Sequence, residues 1–138
     1  ICVIRQCDMA ETVYYSDFDV NLRMNPVTKD VIKKTNIQAI RQALKLLLMT
    51  SYYDRKFAPD IGTALRDLLF KQLDDFTLYS VSEQLKKSIG AYEPRIHIDE
   101  LTCTVSEINR FQVEIKITYT ILAIGKTDTY VYSINRIR

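Results

Sequence analysis

The chain is poor in the residues that most often carry chemistry: its 138 residues include one histidine, three cysteines and three glycines. The glycines form no Gly-rich phosphate loop. His97, set between Ile96 and Ile98, has no Cys or carboxylate partners at ligand spacing; it reads as a strand residue rather than a metal ligand. There is no Ser-His-Asp arrangement and no cysteine placed with a histidine. Cys2, Cys7 and Cys103 are odd in number and lack metal-finger spacing, so they read as reduced thiols of a protein folded in the cytoplasm. No apolar run approaches the ~20 residues of a membrane span, and the first residues, with Arg5 and Asp8, form no signal peptide. The chain opens on Ile1 rather than Met, which points to a start upstream. Charge of one sign is also lacking: 19 Lys+Arg against 17 Asp+Glu leave +2, scattered along the chain, which argues against a phosphate-neutralising surface for nucleic acid. No metal and no cofactor is expected.

What is present fits one domain with one core, since domains commonly run ~100–150 residues. Residues 1 to 138 read as that domain, with residues 1 to 14 as an N-terminal arm. Tyr14-Tyr15-Ser16-Asp17-Phe18-Asp19 ends in turn formers. Asn25-Pro26 and Thr28-Lys29-Asp30 have turn chemistry between the apolar steps Leu22, Met24, Val27, Val31 and Ile32, which suits a small hairpin.

Three helices are expected. The first begins near Thr35-Asn36, where Thr35 and Gln38 have capping-box spacing, and it buries Ile37, Ile40, Leu44, Leu47 and Leu48 before fraying near Met49-Thr50-Ser51. A loop dense in aromatics and charge follows, with Tyr52, Tyr53, Asp54, Arg55, Phe57, Pro59 and Gly62; loops of this make are often binding surfaces. A short second helix starts with Asp60 or Thr63 as cap and buries Leu65, Leu68 and Leu69. Thr77 or Ser80 caps the third, in which Leu78, Val81, Leu85 and Ile89 recur until Gly90 and Pro94 end it.

After Pro94 the period changes to two. Ile96 and Ile98, then Leu101, Cys103 and Val105, alternate with polar residues, and Phe111, Val113, Ile115, Ile117, Tyr119 and Ile121 form the clearest strand. A hairpin through Asn109-Arg110 joins it to the strand before, and residues 125 to 128 turn the chain into a final strand over 130 to 137. The fold class is therefore α+β: three helices packed on one face of a mostly antiparallel sheet. The final strand offers an unpaired edge.

The helical and strand halves meet at Tyr92-Glu93-Pro94-Arg95-Ile96. Pro94 removes a backbone donor and pushes Glu93 out of the helical region, so the chain turns a corner with a carboxylate and a guanidinium on either side of a rigid residue. Arg95 adds a planar fork of donors suited to carboxylates and carbonyls of another surface. That is a docking device more than a catalytic one.

In these residues the chain resembles the small wedge subunits of contractile-tail baseplates, found in T-even-type phages and, as TssE, in type VI secretion systems. The resemblance spans residues 15 to 121. It rests on Tyr15-Ser16-Asp17-Phe18-Asp19, the amphipathic helix from Asn36, then Arg55, Phe57, Pro59 and Gly62 in family order, Leu69-Phe70, and Glu93-Pro94-Arg95. The family usually has a Gly and often a Glu just before the loop Arg, where this chain has Tyr53 and Asp54.

The resemblance implies a structural subunit in a virion tail baseplate, assembled in the host cytoplasm. It implies two protein partners: larger wedge subunits, whose helical core bundle is gripped by Glu93, Pro94 and Arg95, and the tail sheath, which adds strands to the terminal sheet edge. Arg55 and Phe57 in the loop, and Tyr130 and Tyr132 in the last strand, complete the candidate partner-binding residues; tyrosine and arginine are favoured at interfaces. Neither nucleic acid nor a membrane is implied. The alternatives are a type VI secretion baseplate component, a regulatory adaptor on the same fold, or a peptidoglycan hydrolase, because this family has been labelled lysozyme-like. A glycosidase needs two carboxylates ~5–9.5 Å apart, one kept protonated by an apolar pocket. Glu93 with Asp99 or Glu100 is the nearest candidate, but Arg95 beside Glu93 favours the charged form. Glu11 and Asp19 are a second pair, and neither reproduces the Glu/Asp/Thr spacing of phage lysozymes. No catalytic residue is assigned.

Overall fold

The structure, a computed structural model, describes residues 12–68, 70–106 and 112–135. The expected N-terminal arm up to residue 11, the Asn109-Arg110 turn and the last residues of the final strand lie outside the described residues, as does Leu69. The chain divides into two compact units, residues 1–39 and 40–138.

In the first unit, β1 (Ser16–Phe18) pairs antiparallel with β2 (Lys33–Thr35). The expected hairpin is there: Met24 bridges Val31, and the Asn25 amide donates to the Asp30 carbonyl at 2.8 Å. Its arms extend further than turn chemistry suggested, because Ser16-Asp17-Phe18 is strand rather than turn. Asp19 closes the hairpin from inside, fully buried, accepting Arg23 Nε at 2.8 Å with Lys34 Nζ 3.0 Å away. The Arg23 hydrogen bond, then the Lys34 ammonium, hold its carboxyl below the usual range.

The first helix, α1 (Asn36–Met49), starts where expected, but by a different device. Thr35 is the last strand residue of β2. Asn36 takes a left-handed backbone (φ 46°) and turns its amide side chain back toward the preceding segment: Oδ1 accepts the Tyr14 and Tyr15 amides at 3.0 and 3.4 Å, and Nδ2 donates to the Thr12 carbonyl at 3.0 Å. Asn and Asp reach this conformation at the least steric cost after Gly.

In the second unit, Ile40, Leu44 and Leu48 of α1 are buried, while Leu47 is only partly covered. The second helix, α2 (Leu65–Leu68), is a single turn. Thr63 does not cap it; its hydroxyl donates to the Leu48 carbonyl at 3.1 Å and so satisfies an orphan acceptor at the end of α1. The third, α3 (Asp75–Tyr92), begins earlier than Thr77 or Ser80 would place it. Asp74 stands at its N-cap and Asp75 in its first turn, where negative charge suits the helix dipole. Gly90 does not end it; the helix runs through to Tyr92 and stops at Glu93, ahead of Pro94.

The main sheet has the order β3 (Ile96–Val105), β4 (Gln112–Ile121), β5 (Lys126–Asn135), all antiparallel. β3 is one strand with a register shift between Ile98 and Glu100, so both of its apolar runs stay on one face. β5 starts at Lys126 because the turn occupies residues 122–125, earlier than the expected 125–128, and Asp128 is a strand residue opposite Tyr119. The helices cover one face of this sheet, where Val113, Ile115, Ile117, Tyr119 and Ile121 of β4 are buried, and α3 runs along β3. The fold is α+β, with three helices on one face of the antiparallel sheet and a small second sheet formed by β1 and β2.

Candidate functional site

The corner after α3 is held by an internal ion pair. Arg95 grips Glu93 with Nε on Oε1 and Nη2 on Oε2, the latter at 2.8 Å. Glu93 is buried to 6% exposure, and its amide donates to the Ile89 carbonyl at 2.8 Å, closing the helix. Arg95 continues into β3 through its carbonyl, which accepts the Leu122 amide at 3.1 Å. Pro94 lies exposed between them. Two of the Arg95 donors are thus used within the corner, and the side chain keeps about a quarter of its surface in solvent (28%). Both Glu93 oxygens are engaged, a poor arrangement for a general acid.

The aromatic loop of residues 52–62 is tied to the same end of α3. The Tyr52 hydroxyl lies 3.1 Å from Ser88 Oγ, and the Tyr92 hydroxyl donates to the Asp60 carbonyl at 2.8 Å. Arg55 and Phe57 are thus carried on a loop anchored beside the Glu-Pro-Arg corner, with Phe57 fully exposed. Tyr53 has φ 67°, so the turn keeps a left-handed residue where the family resemblance calls for Gly. Gly62 allows the loop to close: a Cβ there would lie 2.6 Å from the Ser51 carbonyl carbon. Ser88 and Tyr92, which anchor the loop from α3, carry no signal in the sequence spacing.

Tyr130 and Tyr132 sit on β5 opposite Ile117 and Ile115. They are half-buried on the helix-covered face, and not with the corner. Burial, and then the Tyr132 phenol, push the Tyr130 hydroxyl pKa up. Tyr132 and Ile134 line a cleft of about 200 Å³ with Leu48, Met49, Leu65 and Arg66. Among the described residues β5 pairs only with β4, so its outer side is a sheet edge, as is that of β3. His97 is an exposed residue of β3, and no cluster of metal-ligating side chains occurs among the described residues.

The described residues thus combine an α+β fold with a braced Glu-Pro-Arg corner, an aromatic loop beside it and open sheet edges. The chain belongs to the family of the baseplate wedge protein gp25, whose model matches residues 35–125. It is 32% identical over 91 residues to baseplate wedge protein gp25 of Enterobacteria phage T4, covering 66% of this chain and 67% of that protein. Among solved structures it is similar to a Geobacter sulfurreducens protein described as a candidate tail lysozyme, with TM-score 0.65 and 23% identity over 72% of this chain and 89% of that one. It is also similar to a chain of the anti-feeding prophage baseplate, with TM-score 0.62 and 16% identity over 90% of this chain and 87% of that one. A chain of the postcontracted pyocin R2 baseplate follows at TM-score 0.51 and 17% identity, over 82% and 96%. At these identities the structures speak to the fold.

Proposed function

We propose that the chain is a non-enzymatic connector in a contractile phage-tail baseplate, joining the helical core bundle of the larger wedge subunits to the tail sheath. One contact is the Glu93-Pro94-Arg95 corner with Arg55 and Phe57 of the adjoining loop. The other is the β5 edge with Tyr130 and Tyr132, to which the sheath adds a strand through backbone hydrogen bonds. A baseplate rearrangement gripped at the corner passes through the sheet to the sheath as contraction. The observation that carries the reading is the braced corner: Glu93 is buried and doubly bonded to Arg95, and the loop with the exposed Phe57 is pinned next to it by the Tyr92–Asp60 bond. A corner held this rigidly loses little conformational entropy on docking. The similarity to the phage T4 wedge protein favours a phage tail over a secretion system. The name given to the Geobacter protein raises a hydrolase; against it, Glu93, the nearest general-acid candidate, has both oxygens bound by Arg95.

The test is co-purification of wild-type, Arg95→Ala and Phe57→Ala proteins from cells expressing the other baseplate genes, with circular dichroism on each. Loss of the large subunits from folded variants is expected. Unchanged partners for both would end the corner's role, and a sheath that docks on a chain truncated before residue 130 would end that of β5.

A further inference from the structure

The sheet edge opposite β5 carries a groove that neither proposed contact uses. It lies between β3 and the N-terminal half of α3, has a volume of about 450 Å³, and has Leu78, Leu101 and Cys103 among its lining. Asp75, Glu83 and Glu100 also line it, no Lys or Arg does, and none of the three carboxylates is in an ion pair among the described residues. Tyr79 lines it and Phe76 stands one turn earlier on α3, both largely exposed.

From this geometry we infer that the groove receives an extended, lysine- or arginine-bearing segment of another protein, which adds to β3 as a further strand. Three observations converge. The outer side of β3 has no strand neighbour among the described residues, so its edge amides and carbonyls face the groove. The run from Glu100 to Val105 pairs with β4 in an unbroken register, whereas the shift at Ile98/Glu100 distorts the strand just before it. The pairing surface is therefore straight and of defined length. An added strand sends alternate side chains to opposite faces. On the helix side they meet Leu78 and Tyr79, with Asp75 and Glu83 close by; on the open side they meet Glu100. Basic residues on either face find a carboxylate, and Tyr79 and Phe76 offer ring faces to a cation. The cleft at β5 has the opposite character, with Arg66 and no carboxylate in its lining. Charge thus distinguishes the two edges, and a basic strand is directed to β3.

The probe is a fluorescein-labelled eight-residue peptide of alternating lysine and valine, titrated against the full chain by anisotropy. Binding is expected to weaken at least tenfold for Glu83→Lys/Glu100→Lys, and equally for the peptide N-methylated on alternate residues, which keeps the charge but cannot pair. A glutamate–valine peptide should fail on the wild type and bind the double variant. Alkylation of Cys103, followed by peptide mapping, should slow in the complex. Equal affinity for the double variant, tolerance of N-methylation, or amide protection on β5 in place of β3 would each overturn the inference. If the double variant does not fold, the glutamate–valine and N-methylated peptides on the wild type decide alone. None of these readouts involves Arg95, so the result is independent of the corner experiment.

Discussion

Arg41 and Asp128 stand 87 residues apart in sequence and meet in a two-bond ion pair, Nε on Oδ2 and Nη2 on Oδ1, both at 2.7 Å. Asp128 also accepts the hydroxyl of Tyr119, its cross-strand neighbour, at 2.8 Å. One carboxylate thereby ties α1 to the start of β5 and to the buried centre of β4. The Arg41 bonds hold the Asp128 carboxyl below its usual range against the opposing effect of burial. Burial, reinforced by Asp128, raises the Tyr119 pKa.

Asp128→Asn should lower stability by about 1 kcal/mol at neutral pH, a modest figure because Arg41 remains half in solvent. A carboxyl lowered by folding stabilises above its unfolded pKa, near 3.9, and loses that contribution as pH falls through the lower folded value. The difference between wild type and variant should be flat from pH 5 to 8 and shrink below about pH 4. Thermal melts across that range check it; a constant difference down to pH 2 would refute it.

The elements most legible in the sequence were those with unbroken periodicity: α1, the body of α3 and β4, whose apolar residues all lie on the covered face. Boundaries decided by side chains acting across the chain were not legible. Asn36 starts α1 by bonding backwards to Tyr14 and Tyr15, and Thr63 serves α1 rather than α2. Asp128 reads locally as a turn former, yet Arg41 and Tyr119 hold it in a strand. At the site, the corner was visible because Pro94 restricts its neighbour whatever the context. The pairing of Arg95 with Glu93 followed from their closeness across Pro94, whereas the Tyr92 bond that pins the loop depended on a contact that spacing does not encode.

Asn36→Ala should cost about 2–3 kcal/mol, since it removes a buried side chain with three hydrogen bonds and places a Cβ-bearing residue without local compensation at positive φ. Asn36→Gly restores the backbone conformation but not the bonds, and should fall between the two. Hydrogen exchange at the Tyr14 and Tyr15 amides is the measurement; unchanged protection in Asn36→Gly would show that the side chain does not hold that segment.

For the corner, Arg95→Met leaves the buried Glu93 charge without its partner and should cost about 2–3 kcal/mol. Adding Glu93→Gln should recover part of that loss, because a neutral amide is cheaper to bury than an uncompensated carboxylate. Denaturant unfolding of the four proteins in the cycle gives the coupling. Additive single effects would mean that the two side chains are not partners in solution.

Tyr53→Gly should stabilise the chain by about 1 kcal/mol, because an exposed Tyr held at φ 67° bears a steric cost that Gly does not. The gain is set against the greater freedom of Gly in the unfolded chain. A melting temperature unchanged or lowered in Tyr53→Gly would show that the ring makes contacts that outweigh the strain.

Gly62→Ala is the sharpest test of how the loop carries Arg55 and Phe57. The new Cβ would lie 2.6 Å from the Ser51 carbonyl carbon, 2.7 Å from its oxygen and 2.7 Å from the Tyr52 nitrogen. These are backbone atoms, so no rotamer change relieves the clash. Ser51 must separate from Thr63, with which it forms a parallel bridge, and the Thr63 amide loses its 2.9 Å bond to the Thr50 carbonyl. A cost of about 1–3 kcal/mol is expected from overpacking of this kind. The core under α3 does not include Gly62, so the variant should still fold, with faster exchange at the Thr63 amide. If the loop and corner act as one docking surface, Gly62→Ala should also weaken capture of the large wedge subunits as Phe57→Ala does. Full capture by a folded Gly62→Ala protein with a loosened loop would assign the contact to the corner alone.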